Sequence, residues 1–257
     1  MIYEIYHETN FDYAGLVTFS HNIARLKPKN CTTQKLLEYS LSMEPNPYET
    51  NEFIDYFENT NNFMLIREAH KSLKVIATSK VERLEYEIKK ESYLLNTAKI
   101  TLAQLKERLS TYHPNDVMAK YFLFETESIP MPSAEIKEYI LASFNENRNV
   151  IEATNEFMAR IFNDFKFVSG FSDITTPIEV IFKEKKGVCQ DFAQFAISAL
   201  RSIGIPARYV SGYIQTLPPE GKEKLFGADA SHAWFSIYIP DFGWADFDPT
   251  NNKIPNE

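Results

Sequence analysis

Cys189, His232 and two aspartates, Asp246 and Asp248, are the side chains whose types and order along the chain suit covalent chemistry. An ordinary thiol has a pKa near ~8.5, and a cationic neighbour together with a helix start lowers it to roughly 3.5–7.5, which makes a thiolate–imidazolium pair the resting state at neutral pH. Attack of that thiolate on a carbonyl would form a thioester. The imidazole would protonate the departing amine and later activate water or a second amine, while a carboxylate fixes its tautomer.

The elements that must position these groups can be read from periodicity. Ala193, Ala196, Leu200 and Ile203 follow Cys189 at helical spacing, with Phe192 and Ala199 on adjoining steps, so the thiol stands on the packed side of a helix and at its first turn. Free N–H groups and the positive end of the dipole favour a thiolate there, and the same N–H groups, that of Cys189 among them, can hold a developing oxyanion. His232, Trp234, Ser236 and Tyr238 share one face of a strand whose other face, Ala233, Phe235, Ile237 and Ile239, is wholly apolar. Pro240-Asp241-Phe242-Gly243 reads as a hairpin turn returning Trp244, Asp246 and Asp248 on one face of the neighbouring strand. Spacing alone does not choose between the two aspartates.

Upstream, Tyr3, Ile5, His7 and Thr9 alternate with Ile2, Glu4, Tyr6 and Glu8 as in a half-buried strand. Strand-like runs recur at 17–20, 35–41, 63–66 and 73–77, separated by turns such as Glu44-Pro45-Asn46-Pro47 and 58–62. An antiparallel β domain is expected over residues 1–95, then a helical connection and catalytic core over 96–257. In the second part Ser133 caps a helix carrying Ile136, Ile140, Leu141 and Phe144, and a longer helix presents Val150, Ala153, Phe157, Ile161, Phe162 and Phe165. Thr176-Pro177-Ile178-Glu179 reads as a capping box opening a helix that runs to about Lys185 and is ended by Gly187, and Gly204-Ile205-Pro206 stops the Cys189 helix before a strand over 208–214. The loop 217–230 is a candidate rim for a binding cleft.

The 257 residues, 44% hydrophobic with 20 Phe and 14 Tyr, suffice for a sizeable core. A formal charge of −8 without a basic block gives no footprint for nucleic acid or an anionic membrane. No run of about 18 apolar residues occurs and the first residues lack a secretory pattern, so a cytoplasmic location is expected. Two cysteines, Cys31 and Cys189, make neither a disulfide framework nor a zinc-binding CxxC pair.

Taken together, Gly187-Val188-Cys189-x-Asp191-Phe192-Ala193, Ser231-His232-Ala233-Trp234 and Trp244-x-x-Phe247-Asp248-Pro249-Thr250-Asn251 resemble the nucleophile, histidine and acid motifs of the transglutaminase-like superfamily in its bacterial form. Tyr3-x-Ile5-x-His7-x-Thr9 and Ser20-His21-Asn22-x-x-Arg25-Leu26-Lys27-Pro28 resemble that family's β-rich N-terminal region, while residues 90–170 match only as generic helices. The resemblance implies an α+β protein: an N-terminal antiparallel β domain, then a papain-like core with the nucleophile helix packed on an antiparallel sheet. It also implies Cys189, His232 and Asp248 as a catalytic triad. Only nine residues follow Asp248, where the family commonly adds strands.

Other residues carry plainer readings. Asp191 suits the helix dipole, Cys31 is structural, and His7, His21, His70 and His113 are ordinary histidines. Trp234 and Trp244 are core or cleft wall, and Lys183 to Lys186 form a solvated helix end. A metal site built from Cys189, His232 and the aspartates matches no ligand spacing, and neither metal nor cofactor is expected. The expected activity is cysteine-dependent acyl transfer on amide bonds of a peptide or protein, by hydrolysis. The alternatives are a transglutaminase, moving a glutamine acyl group to an amine, and an inactive peptide-binding module. A peptide-deglycosylating enzyme of the same superfamily commonly carries zinc-binding CxxC pairs, which two cysteines cannot supply.

Overall fold

The computed structural model describes residues 1–214 and 231–255, and the chain divides into two units, Met1–Glu91 and Ser92–Glu257. The first unit is built from six strands: β1 (Ile2–Val17), β2 (Ser20–Ala24), β3 (Gln34–Glu44), β4 (Glu49–Ile54), β5 (Thr60–Ile66) and β6 (His70–Arg83). They form two antiparallel sheets, ordered β1-β6-β3 and β2-β5-β4. The alternation along β1 is realised, with Tyr3, Ile5, His7 and Thr9 half-buried and the intervening residues exposed. Met43, Met64, Ile66, Leu73 and Val75 make the core of this unit.

Several local expectations fail for identifiable reasons. The run 17–20 is a corner, because the chain leaves β6 after Val17 and pairs with β5 from Ser20. Every residue of β4 is exposed, so no apolar periodicity marked it; its pairing with β5 holds it as an edge strand. After the last strand of this unit ends at Arg83 comes α1 (Glu85–Thr97), a helix that periodicity did not mark, with a Glu85–Lys89 ion pair of 2.6 Å one helical turn apart.

In the second unit, α2 (Leu102–Ser110) opens with a reciprocal capping box: Thr101 Oγ1 accepts from Gln104 N at 3.2 Å, and Gln104 Oε1 from Thr101 N at 2.9 Å. The short α3 (Val117–Lys120) lies between two 3₁₀ turns. Ser133 caps α4 (Ala134–Leu141), accepting from Ile136 N, and Asn149 caps α5 (Val150–Asp164) through Ile151 N and Glu152 N. Both helices bury the expected stripe, but Leu141 and Phe162 stand 47% and 45% exposed. Each sits one residue past a fully buried isoleucine, about 100° off the packed face.

After α5 the chain forms β7 (Lys166–Phe167), α6 (Ile178–Glu184) and β8 (Lys186–Gly187), with β7 and β8 parallel. Thr176 makes no capping box. Its hydroxyl accepts from Asp173 N at 3.0 Å in the preceding turn, and α6 starts after Pro177. As expected, α6 stops at about Lys185, but the residue that stops it is not Gly187: Lys185 itself takes the left-handed conformation, with φ of 52°. Nor is it simply solvated: its ammonium lies 3.6 Å from the centre of the Phe182 ring and 4.5 Å from those of Tyr139 and Phe165, and burial lowers its pKa.

Next come α7 (Cys189–Ser202), β9 (Ala207–Tyr213), β10 (Ser231–Ile239) and β11 (Gly243–Phe247). The antiparallel sheet is ordered β11-β10-β9, and α7 packs on it. Phe195 of α7 meets Phe157, Phe165 and Phe182, while Phe235 and Phe247, opposite each other in register, stack at 5.6 Å. Buried Arg201 ties α7 to β9: Nε and Nη2 donate to Ala207 O at 3.0 and 2.8 Å, and Nη1 to Phe124 O at 2.6 Å. The expected turn at Pro240–Gly243 joins β10 to β11, with Asp241 and Gly243 at positive φ. No helix among the described residues is long and apolar enough to cross a membrane.

Candidate active site

Cys189 is the first residue of α7, and its place depends on the chain just before it. Gly187 packs so tightly that a Cβ would lie 2.9 Å from both Cβ and Oδ2 of Asp191. Asp191, only 2% exposed, closes the turn: Oδ2 accepts from Val188 N at 2.7 Å and from the Ser172 hydroxyl. The structural reading of Asp191 therefore fits, and Ser172, which carried no sequence signal, is its partner.

The Cys189 thiol hydrogen-bonds the His232 ring and accepts from the backbone N–H groups of Ala233 and Gln190. Burial pushes its pKa up, but those hydrogen bonds and the His232 charge outweigh burial and hold it below the ordinary thiol value. Ala233 offers its N–H from the start of β10, beyond the part of that strand paired with β11, which begins at Phe235.

His232 lies opposite Gly212 in the β10–β9 register. A Cβ on Gly212 would approach Cη2 of Trp234 to 2.5 Å, so glycine leaves room for the indole, which stacks beside the imidazole at 6.1 Å. His232 Nε2 is 2.9 Å from Asp248 Oδ2, leaving Nδ1 for the sulfur. Burial lowers the imidazole's pKa, yet the hydrogen bonds and negative charges of Asp248 and Cys189 prevail and raise it to about 9.

Asp248 is 1% exposed and follows the end of β11. Its Oδ1 accepts from Thr250 N at 2.9 Å and Asn251 N at 3.3 Å, and its Oδ2 from Asn251 Nδ2 at 2.6 Å as well as from His232. Its backbone pairs in both directions with Lys253, at 2.8 and 3.2 Å. Asp246, the other candidate, lies opposite Ser236 and accepts that hydroxyl's hydrogen.

Thus the structure joins Cys189, His232 and Asp248 in one hydrogen-bonded line, with Asp246 directed to Ser236. A thiolate, an imidazolium and a carboxylate in this order can form and break a thioester. Cys31 is exposed in the first unit, Trp234 walls the imidazole, and Trp244 packs edge-on against Phe122 and Tyr238. Sequence reasoning singled out neither Asn251 nor Gly212, although Asn251 closes the quoted acid motif. The proposed rim loop, 217–230, lies outside the described residues. Among the described residues no group of three His, Cys, Asp or Glu side chains is arranged to hold a metal.

Residues 3–82 match the family of bacterial transglutaminase-like N-terminal regions, and residues 138–249 match the transglutaminase-like superfamily. An uncharacterized protein of Mycobacterium tuberculosis is 30% identical over 259 aligned positions, covering 99% of this chain and 80% of that protein. The protein-glutamine gamma-glutamyltransferase of Pseudomonas aeruginosa is 36% identical over 78 positions, which are 30% of this chain and 12% of that enzyme. A Cytophaga hutchinsonii protein, its crystal structure provisionally described as a cysteine protease, superposes with a TM-score of 0.70 at 20% identity, over 99% of this chain and 80% of the other. That likeness is one of fold: an α+β chain with an N-terminal antiparallel region and a papain-like core.

Proposed function

Because this chain belongs to the transglutaminase-like superfamily, we propose that it hydrolyses amide bonds of a peptide or protein through a thioester on Cys189. The observation that supports this most directly is the hydrogen-bonded line from the Cys189 thiol through His232 to Asp248 Oδ2. The Cys189 thiolate adds to the carbonyl carbon and the carbonyl oxygen takes the negative charge. As the tetrahedral species collapses, the C–N bond breaks and the imidazolium gives its proton to the leaving amine. The neutral imidazole then removes a proton from water as the water oxygen attacks the thioester. Loss of the thiolate releases the carboxylic acid and restores the ion pair. Asp248 keeps the imidazole turned so that one nitrogen faces the sulfur.

Water is the default acceptor unless a site excludes it in favour of an amine. A second reading, transfer of a glutamine acyl group to an amine, draws on the 78-position likeness to a protein-glutamine gamma-glutamyltransferase. Mass analysis of products from a glutamine-containing peptide, with and without an added primary amine, separates the two: free acid in both reactions supports hydrolysis, and conversion to the amine adduct supports transfer. An inactive peptide-binding module would give neither product. The rate of Cys189 alkylation by iodoacetamide against pH tests the shared premise. Reaction well below the ordinary thiol pKa supports an activated nucleophile, and its absence at low pH defeats the proposal.

A further inference from the structure

Asn251 touches both members of the His232–Asp248 pair. Its Nδ2 lies 2.6 Å from Asp248 Oδ2 and 3.4 Å from His232 Nε2, and Oδ2 is the same oxygen that the imidazole engages at 2.9 Å. The shorter contact is a strong hydrogen bond to a carboxylate oxygen; the longer one sets two donors side by side on a single acceptor. Oδ1 meanwhile carries two backbone N–H groups, so four donors converge on this carboxylate. Each additional donor draws charge from the oxygens and weakens the pull on the others.

Resting on the reading of Cys189 and His232 as nucleophile and base, we propose that Asn251 is a positioning residue: by sharing Asp248 Oδ2 with the imidazole, it fixes the carboxylate and tempers its pull on the Nε2 proton. Such tempering matters because the imidazole must both surrender and accept a proton in each turnover. A base that holds its proton too firmly is a poor donor to the leaving amine. Among the described residues, the surrounding elements carry Cys189, Asp191 and Arg201 on α7, Arg208, Tyr209 and Tyr213 on β9, Asp246 on β11, and Asp248 and Lys253 beyond it. Of these, Asp248 and Cys189 are the ones that act on His232. Asn251 itself is exposed, so its side chain can be changed with little effect on packing.

The test is an NMR titration of His232 in the full chain labelled at histidine, with the resonance assigned through His232→Gln. In Asn251→Leu, which keeps bulk but has no donor, the His232 midpoint should rise by on the order of one pH unit. A merely structural role would let Asp248 swing away, and the midpoint would fall towards that of ordinary histidine. An unchanged or lowered midpoint overturns the proposal. Should the leucine variant not fold, Asn251→Ala is read in the same way. The titration needs no turnover, so it is separable from the functional reading. Wild-type protein that neither cleaves amides nor alkylates at low pH would sink that reading alone, whereas a missing rise in an active protein would sink only the role of Asn251.

Discussion

Ser236 and Asp246 face each other across β10 and β11, and the serine hydroxyl donates to the aspartate, which commits that carboxylate to the strand pair. Asp248, two residues on, is thereby the carboxylate that meets His232. The two acids share a strand direction and a residue type, but they bond to different residues of β10, Ser236 and His232.

Substituting each acid by its amide should separate them. Asp248→Asn places an amide where the imidazole needs an acceptor and should lower kcat/KM on the order of 10⁴-fold, the scale on which a triad acid acts. Asp246→Asn should leave kcat/KM within about threefold and act on stability through the Ser236 bond. Kinetics on one amide substrate with urea unfolding of both variants checks the pair. Equal losses of activity would show that the assignment of Asp248 is wrong.

His232→Ala removes the hydrogen bond and charge that hold the Cys189 thiol down, while the burial that pushes it up remains. The thiol pKa should therefore rise, and iodoacetamide alkylation near neutral pH should slow by at least about tenfold. An alkylation profile identical to wild type would mean that the helix start and backbone N–H groups suffice without the imidazole.

How far these groups could be read in the sequence depended on whether a signal was local. The alternation of β1, the apolar stripe of α7 and the turn at Pro240–Gly243 are neighbour-to-neighbour patterns, and each appears where expected. Strand β4 and helix α1 escaped because neither carries a regular buried face; Leu95 is the buried residue of α1. The Thr176 hydroxyl was diverted to Asp173, a competition between two local bonds that spacing does not rank. Residue periodicity left Asp246 and Asp248 equivalent, and only motif resemblance favoured Asp248. The physical difference between them lies in Ser236, Thr250 and Asn251, contacts made across strands and around a turn.

Gly187→Ala tests whether the nucleophile's position depends on close packing before α7. The added methyl would meet Asp191 at 2.9 Å and the Phe192 ring at 3.1 Å, and both are buried side chains with little room to yield. Overpacking of this kind costs about 1–3 kcal/mol and should displace the first turn that carries Cys189, so stability and kcat should fall together. Gly15→Ala is the control, since nothing lies within 4 Å of its added methyl. Equal unfolding midpoints for the two variants would show that the turn before Cys189 adapts.

The opposed shifts of thiol and imidazole set a pH window for activity. Cys189 is depressed below the ordinary thiol value, so the rising limb of kcat/KM against pH should lie below the pH at which an ordinary thiol ionises. His232 is raised to about 9, so the falling limb, where the imidazolium loses the proton owed to the leaving amine, should lie near that pH. Stability follows the same group: the contribution of His232 is complete below its unfolded value near ~6.5 and is lost as pH climbs through about 9. The difference in urea midpoint between wild type and His232→Gln should accordingly shrink between pH 7 and pH 10. A rate profile already falling by pH 7, or a midpoint difference that grows with pH, would rule out a thiolate–imidazolium resting pair at this site.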